Sequence, residues 1–254
     1  VDADVVISQP FWPYYLTREK MESAPNLKMA ITAGIGSDHV DLQAAMDNGV
    51  DVMEVTYCNS RSVAEHIVMM VLALVRDYHT QHKIVNEGGW NIADAVSRSY
   101  DLEGMKVGTV AAGRIGLDAL RKLKAFDVEL HYFDKHKLSD EVEEELNLVY
   151  HDNVESLVST VDVVTINCPL HPETENLFNA ELISKMKKGA YIVNTARGKI
   201  CDRQAIVDAL ESDGEEQRTE YTIVKDGALA GTGKHSYTEG SATSGSEEAA
   251  EYKA

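Results

Sequence analysis

Residues 106–116 read Lys106-Val-Gly-Thr-Val-Ala-Ala-Gly-Arg-Ile-Gly116 and are the clearest indication of fold in the chain. It begins as a β-type run, passes through a turn of small residues, and continues as a helix from Arg114 to about Ala125. A second β-type run ends at Asp134, which lies 18 residues after Gly116. This order of strand, turn, helix, strand and acid is the layout of a dinucleotide-binding βαβ unit.

Each residue type in this turn suits a nucleotide. The helix N-terminus offers N–H groups and a positive dipole end to a pyrophosphate. Gly113 lets the backbone approach the phosphates, and Gly116 lets the helix pack on the strand. Asp134 can accept hydrogen bonds from both ribose hydroxyls and would repel a ribose phosphate, which indicates NAD rather than NADP. Ala111 replaces the first glycine of the usual pattern, and a turn that needs small residues only for packing is the alternative.

The composition sets bounds on the function. The chain has 254 residues, 44% of them hydrophobic, which suffices for one large or two modest domains. A net charge of −18 without a dense basic patch argues against nucleic acid and anionic membranes as partners. Three scattered cysteines, Cys58, Cys168 and Cys201, fit a reducing cytoplasm better than a disulfide framework. No apolar run reaches spanning length, and the first residues resemble chain entered midway, so we expect the N-terminus upstream.

Short β-type runs alternate with helical stretches, which predicts an α/β fold. We expect two Rossmann-like, doubly wound parallel-sheet domains with a cleft between them. The predicted strands are 5–8, 28–33, 52–55, 106–110, 129–133, 148–150, 161–166 and 190–194. Apolar side chains at helical spacing predict one long, buried helix over Ser62–Thr80, and Asn91–Tyr100 is predicted to be a polar connection. From Asp226 onward the composition cannot build a core, so this tail is expected to lie on another surface or stay mobile.

Arg197 is the first candidate for substrate binding. It belongs to Asn194-Thr-Ala-Arg-Gly198, which follows a predicted strand. Arg197 therefore lies at the carboxyl end of a parallel strand, where open α/β sheets bind ligands. Its guanidinium can hold a carboxylate through two parallel hydrogen bonds. A surface arginine paired with an acid is the alternative interpretation.

Three further segments follow predicted strands. Thr32–Asp38 presents small residues and backbone N–H groups on the opposite side of the expected cleft, and Asn59 could add an amide donor. Tight packing of the glycines and capping of the following helix by Asn59 are the alternatives. Thr165–His171 would line the ribose and nicotinamide side of a cofactor, with His171 contacting cofactor or solvent rather than acting in catalysis. No histidine shows metal-site spacing.

Six motifs together carry a resemblance. They are AITAGIGSDHVDL (30–42), VTYCNSRSVAEH (55–66), GGWNIAD (88–94), SYDLEGMKVGTVAAGRIG (99–116), CPLHPET (168–174) and GAYIVNTARGKICDR (189–203). In these motifs the chain resembles the NAD-dependent formate dehydrogenases of the D-2-hydroxyacid dehydrogenase family. The resemblance covers most of Val5–Gly214 and returns in Gly227–Gly233, and the Ala-Ala-Gly turn is itself typical of formate dehydrogenases.

The resemblance implies oxidation of formate to carbon dioxide, with direct hydride transfer to NAD, by a cytoplasmic homodimer. Asn59 and Arg197 would hold the oxygens of formate in the catalytic site, and Ile35 and Gly36 would surround it. Pro10 and Phe11 would wall the substrate pocket. The cofactor would be bound by Ala111, Gly113, Arg114, Ile115, Gly116, Asp134, Pro169, His171, Thr195 and Ala196.

The chain departs from the family after Gly214. There the family continues for several tens of residues, which supply a further strand, a cofactor-binding acid, and the glutamine and histidine of the active site. Here Gly214 runs straight into Glu215, and none of the nine histidines corresponds to the catalytic one. Omitted residues and a truncated protein both explain this, and the abrupt break within clear homology favours omission.

Three further expectations concern the short chain, the domain division and the dimer of the complete chain. A polypeptide of only these residues should be inactive, with the strand of Ile192 at an unpaired sheet edge. Residues 1–60 and 215–254 should form a discontinuous substrate domain, and residues 61–214 the NAD-binding domain. The helix Ser62–Thr80 should lie near the twofold interface.

Two rival functions remain open. The first is a hydroxyacid dehydrogenase acting on a larger acid, which needs a histidine–carboxylate pair and would oxidise glycerate or lactate. The second is an NAD-binding scaffold without turnover, which the missing histidine favours. Such a protein would bind NADH without oxidising formate.

Overall fold

Three parallel strands form the sheet of the first part of the chain. Strand β1 (Val5–Ser8) pairs with β2 (Met29–Thr32), and β2 pairs with β3 (Asp51–Glu54). Helices α1 (Arg18–Glu22) and α2 (Leu42–Asp47) connect these strands. Their buried side chains make a small core with those of β2 and the loops: Leu16, Met21, Ala24, Leu27, Ala30, Val40, Ala44, Ala45 and Val50.

The computed structural model describes residues 2–8, 15–212, 220–225 and 228–232. The chain divides into two compact units, Val1–Ser62 and Val63–Ala254. Pro10 and Phe11 lie outside the described residues, as does most of the chain after Asp226. Within the described residues, no helix is both long and apolar enough to cross a membrane.

The predicted long helix Ser62–Thr80 is wrong in one respect, because it is broken. Helix α3 (Ser60–Val75) ends before Asp77, whose φ of 50° is left-handed, and α4 (Tyr78–Asn86) starts after it. Asp77 is buried and accepts hydrogen bonds from Arg98 and Thr80. These side-chain bonds hold Asp77 at the break, and helical periodicity gives no signal for them.

The connection predicted over Asn91–Tyr100 is also wrong, because it contains helix α5 (Ile92–Arg98). Asn91 caps this helix, since its side-chain oxygen accepts a hydrogen bond from the backbone N–H of Asp94. Asparagine is a favoured N-cap residue, so the start of this helix could have been predicted from the sequence. The polar composition of the segment instead favoured a loop.

The second unit contains a seven-stranded sheet. Its strands are β4 (Lys106–Val110), β5 (Glu129–Phe133), β6 (Val149–Tyr150), β7 (Val163–Ile166), β8 (Tyr191–Asn194), β9 (Glu220–Lys225) and β10 (Ala228–Thr232). The helices between them are α6 (Arg114–Leu123), α7 (Asp140–Leu146), α8 (Val154–Thr160), α9 (Ala180–Ser184) and α10 (Arg203–Ser212), with 3₁₀ turns at Lys124–Phe126 and Gly198–Ile200. The described strands lie in the order β10-β9-β8-β7-β4-β5-β6, and only the β10–β9 pair is antiparallel.

This order is the doubly wound arrangement that the sequence predicted. Counting from β4, the six parallel strands follow the order 3-2-1-4-5-6 of a Rossmann sheet, in which ligands bind where the order reverses. The reversal lies between β4 and β7. Helix α3 packs six buried side chains into the same core as β4 and β5: Ala64, Ile67, Met70, Val71, Leu74 and Val75.

The expected unpaired edge at Ile192 is wrong for this chain. Strand β9 pairs in parallel with β8, with Tyr221 opposite Ile192. The run Thr222-Ile223-Val224 is rich in β-branched residues, which favour a strand. Strands β9 and β10 therefore belong to the sheet of the second unit, whereas residues 215–254 were assigned to the substrate domain.

Candidate active site

The predicted dinucleotide turn joins β4 to α6 at the carboxyl edge of the sheet. The backbone N–H of Ala111 donates to the carbonyl of Phe133 at 2.8 Å, and the Thr109 hydroxyl donates to the carbonyl of Ala111 at 2.9 Å. Ala111 adopts a φ of 72°, the left-handed region that a glycine occupies freely. The turn therefore has the shape of the glycine pattern although its first glycine is replaced.

The two remaining glycines of the turn have different roles. A Cβ added to Gly116 would lie 2.2 Å from the carbonyl oxygen of Ala111, so only glycine fits between helix and strand. A Cβ added to Gly113 would meet nothing within 4 Å, which leaves open space in front of the turn. The N-cap residue of α6 is Gly113, which has no side chain to cap the helix. Open space beside the N-terminus of a helix fits a pyrophosphate.

Asp134 ends β5 beside this turn. One carboxylate oxygen, Oδ2, accepts a hydrogen bond from the N–H of Ala112 at 2.8 Å, and Oδ1 accepts one from the N–H of His136 at 2.9 Å. These bonds fix the carboxylate at the edge of the sheet, and each oxygen keeps a lone pair for a further donor. The neighbouring Lys135 pairs with Glu173, and both side chains are exposed.

The ends of β7 and β8 continue the same edge. Ile166 pairs with Val110 on one side and with Asn194 on the other, so the residues after these strands are neighbours. Asn167 donates from its amide to the hydroxyls of Thr109 and Thr165, which ties β7 to the turn.

The loop after β7 holds Pro169 and His171. The Thr174 hydroxyl donates to the carbonyl of Pro169 at 2.7 Å and accepts from the N–H of His171 at 2.8 Å. His171 is exposed in this loop. Its contact with a cofactor, indicated by the sequence, stays a prediction.

The side chain of Asn194 positions Arg197, a role that was not predicted from the sequence. The Asn194 side chain is buried, donates to the carbonyl of Arg197 at 2.9 Å, and accepts from the N–H of Ala196 at 3.0 Å. It thereby closes the turn that presents Arg197. The Arg197 side chain is half-buried and donates to the carbonyl of Ala196 at 3.0 Å. The sequence feature that could have indicated this role is an amide residue at the end of an otherwise hydrophobic strand.

Thr195 supplies a second observation that fits a cofactor. Its hydroxyl oxygen is buried and has no hydrogen-bond partner among the residues that the structure describes. Buried polar groups are rarely left unpaired in proteins. A polar ligand at the edge formed by β4, β7 and β8 would satisfy this hydroxyl.

The two buried cysteines near this edge are inert thiols. Burial raises the pKa of Cys168 to about 11 and that of Cys201 to about 12. Since the thiolate is the nucleophile, neither side chain is activated for covalent chemistry at neutral pH.

The candidate residues of the first unit lie at the carboxyl ends of β2 and β3. Ile35 and Gly36 belong to the loop after β2, where Gly36 adopts a φ of 97° that requires glycine. Asn59 stands directly before α3, yet its Oδ1 atom is buried and accepts no hydrogen bond within the described part of the chain. The alternative that its Oδ1 caps the helix is therefore wrong.

Comparison with known proteins assigns the family. The sequence profile described as "D-isomer specific 2-hydroxyacid dehydrogenase, NAD binding domain" matches residues 68–216. Formate dehydrogenase from Pseudomonas sp. (strain 101) is 53% identical over 310 residues, which cover all of this chain and 77% of that protein. The chain belongs to the formate dehydrogenase family. It carries the NAD-binding domain of the D-2-hydroxyacid dehydrogenases, as the sequence predicted.

Solved formate dehydrogenases share this fold. The Granulicella enzyme is 62% identical, with a TM-score of 0.81, over 84% of this chain and 56% of that one. The Staphylococcus aureus enzyme, solved in complex with NAD, is 38% identical, with a TM-score of 0.77, over 98% of this chain and 77% of that one. The chain thus spans between 56% and 77% of the length of the relatives named here. The alignment with the Pseudomonas enzyme spans 310 positions, whereas this chain has 254 residues. The Pseudomonas enzyme therefore contains residues within the aligned region that have no counterpart in this sequence.

Proposed function

We propose that the complete protein oxidises formate to carbon dioxide and transfers the hydride directly to NAD. The observation that carries this proposal is Arg197, held at the carboxyl edge of the NAD-binding sheet by the buried amide of Asn194. A guanidinium fixed beside a cofactor site suits a small carboxylate substrate. Membership of the formate dehydrogenase family supports the choice of formate.

The chain's own residues bind and orient the reactants. The N–H groups at the start of α6 would hold the pyrophosphate, with Gly113 giving access, and Asp134 would accept hydrogen bonds from the adenosine ribose. Thr195 would donate its unpaired hydroxyl to the cofactor. Bound NAD supplies the hydride acceptor.

Formate needs orientation and desolvation rather than acid–base catalysis. The C–H bond of formate breaks with both of its electrons, NAD is reduced to NADH, and carbon dioxide leaves. No hydroxyl proton has to be removed, unlike in the oxidation of a hydroxyacid. Arg197 and Asn59 would hold the two oxygens while Ile35 and Gly36 close around them, so that the C–H bond points at the cofactor.

We infer that the complete protein contains residues between Gly214 and Glu215 that this sequence omits. In the resembling family, that segment supplies the active-site histidine and glutamine. The longer Pseudomonas alignment supports this inference. In that complete protein, residues 215–254 would return to the substrate domain with residues 1–60, and Pro10 and Phe11 would wall the pocket.

We also propose that the protein acts as a cytoplasmic homodimer. Neither α4 nor α5 has a buried residue within the described chain, yet both carry apolar side chains. The exposed ones in this region are Tyr78, Val85, Trp90, Ile92, Val96 and Tyr100, and Trp90 is 79% exposed. An apolar surface of this kind marks an interface. A second copy is the partner that the family resemblance implies.

The experiment that tests the proposed function replaces Arg197 in the complete protein. Losing a charge-assisted contact costs about 1.5–3 kcal/mol, which is about ten- to a hundredfold in kcat/KM. We expect Arg197→Ala to lose formate oxidation and inhibition by azide, a small anion, while NAD binding by titration is retained. Lys199→Ala removes the same charge from an exposed position two residues away and serves as the control. Normal formate kinetics in Arg197→Ala would refute the assignment.

A further inference from the structure

Ser8 and His39 form a buried hydrogen bond in the first unit. Ser8 Oγ lies 2.7 Å from His39 Nε2, and the two residues are 4% and 3% exposed. Ser8 ends β1, beside Thr32 at the end of β2. His39 ends the loop that begins after Thr32. The hydrogen bond therefore links two points that are 31 residues apart in sequence.

Ser8 holds both ends of this loop, Ala33–His39. At the first end, the N–H of Ala33 donates to the carbonyl of Ser8 at 2.7 Å. At the second end, the side chain of His39 meets the hydroxyl of Ser8. The backbone of His39 is also fixed, since its carbonyl accepts from the N–H of Leu16 at 2.9 Å. One serine thus contacts both ends of the loop, and its hydroxyl holds the His39 side chain.

The enclosed residues are those expected to surround the substrate. Ile35 and Gly36 lie between the two anchored ends, and Gly36 has a left-handed φ of 97°. The N–H of Gly34 donates to the carbonyl of Thr32, and the N–H of Val40 donates to that of Ser37. These short-range bonds shape the loop, whereas Ser8 fixes its place relative to the sheet.

We propose that Ser8 and His39 are positioning residues for substrate binding. They hold the loop Ala33–His39 so that Ile35 and Gly36 present a fixed surface to a small carboxylate. This inference rests on the proposed function. Neither residue need touch the substrate, because the pair acts through the loop. Because Ile35 and Gly36 would surround the small carboxylate and not the cofactor, a loosened loop should weaken the binding of small anions before that of NAD.

The test compares Ser8→Ala and Ser8→Thr in the complete protein. We expect Ser8→Ala to raise the KM for formate and the inhibition constant of azide about fivefold or more, with the KM for NAD within about twofold of wild type. Ser8→Thr keeps the hydroxyl and should restore both constants. If Ser8→Ala does not fold, Ser8→Cys keeps a weak donor of similar volume, and a smaller shift in the same direction is expected.

Ser156→Ala is the matched control. Ser156 Oγ lies 2.8 Å from His151 Nδ1 in the second unit, so this variant breaks the same type of bond outside the loop. It should leave both formate constants unchanged. Unchanged formate constants in Ser8→Ala, or equal shifts in Ser156→Ala, would overturn the inference. A wild-type protein that cannot oxidise formate would instead overturn the proposed function, and this inference with it.

Discussion

Asp134 bonds to the backbone of the dinucleotide turn and is also the residue proposed to bind the ribose of the cofactor. Its carboxylate accepts a hydrogen bond from the N–H of Ala112, next to Ala111, which adopts a left-handed backbone conformation. For an L-residue that conformation costs about 1–2 kcal/mol, so the turn depends on the hydrogen bonds around it. We propose that the same carboxylate binds the adenosine ribose, which would couple the choice of cofactor to the shape of the turn through one side chain.

We predict that Asp134→Ser weakens the use of NAD and improves the use of NADP relative to it, because the repulsion of a ribose phosphate is removed. Lys135 could bind that phosphate, but it pairs with Glu173. The double variant Asp134→Ser/Glu173→Gln should therefore favour NADP more than Asp134→Ser alone. The measurement is kcat/KM for both cofactors in the complete protein. Glu173→Gln alone should keep the NAD preference, and a ratio unmoved by Asp134→Ser would show that Asp134 does not face the ribose.

The residues of this turn that could be predicted from the sequence belong to a recognisable sequence pattern. Gly116 and Asp134 were predicted from their places in a strand–turn–helix pattern. The structure shows why residue 116 must be glycine and that Asp134 bonds to the turn, and the contact of Asp134 with a ribose stays a prediction. Asn194 and Ser8 were not predicted as positioning residues. Ser8 bonds to a residue 31 positions away, a contact that exists only once the sheet has formed. Asn194 bonds to residues two and three positions away, in a turn whose shape no periodicity describes.

At the scale of elements, the break between α3 and α4 depends on a buried ion pair. Arg98 Nε lies 2.9 Å from Asp77 Oδ2, and these side chains are 17% and 4% exposed. Arg98 also pairs with Asp94 on α5. The pair therefore fixes α5 against the start of α4. Sequence periodicity predicted a continuous helix because a buried acid between two apolar stretches gives no periodic signal.

We predict that Arg98→Ala lowers the free energy of unfolding by about 3–5 kcal/mol, because it leaves Asp77 buried without its cation. Arg76→Ala is the control, since Arg76 pairs with Asp101 at the surface, where both side chains are more than half exposed. That variant should lose less than about 1 kcal/mol. Urea unfolding at a fixed protein concentration measures both, and equal losses would contradict the account.

Strands β5 and β6 bring two histidines together. His131 Nδ1 lies 3.0 Å from His151 Nε2, and both rings are buried. Burial, then His151 and then Lys106 lower the pKa of His131 to about 4; Lys187 acts in the same direction, and Glu129 opposes it. Burial also lowers the pKa of His151, against a smaller opposite effect of Asp152. Both rings are therefore neutral in the folded protein at neutral pH.

We predict that stability falls as the pH drops from about 6.5 towards 4, because the unfolded chain binds a proton at His131 that the folded chain excludes. The loss from His131 amounts to about 3 kcal/mol and is complete once the pH passes below the folded pKa. Urea unfolding across this pH window should show a flatter slope for His131→Asn, whose amide can replace Nδ1. His136→Gln, at an exposed position, should keep the wild-type slope. An unchanged slope in His131→Asn would contradict the prediction.

At the scale of the whole molecule, the pairing of strand β9 with β8 could not be predicted from the sequence. The fold class, with its doubly wound parallel sheet, followed from the alternation of strands and helices, whereas the strand order comes from the structure. The occupant of the edge beside β8 did not follow from that alternation, because several runs could pair there, and Glu220–Lys225 does so in this chain. The exposed apolar surface of α4 and α5 is likewise a property of the folded chain that composition does not reveal.

We predict that the complete protein is a dimer that Ile92→Glu/Val96→Glu dissociates. These two side chains are 62% and 71% exposed, one turn apart on α5, and buried charges at an interface are costly. Light scattering after gel filtration should give a dimer mass for wild type and a monomer mass for the double variant. Met46→Glu, at a residue that is 68% exposed on α2, is the control and should remain dimeric. A monomeric wild type would refute the proposed assembly.

Deuterated formate distinguishes direct hydride transfer from the rival functions in one experiment. The complete protein is incubated with NAD and formate carrying deuterium on carbon, and the NADH is analysed by mass spectrometry and proton NMR. Direct transfer predicts one deuterium per NADH, equal amounts of NADH and carbon dioxide, and a slower rate than with ordinary formate. NADH formed from lactate or glycerate but not from formate would contradict the claim, as would NAD binding without any reduction.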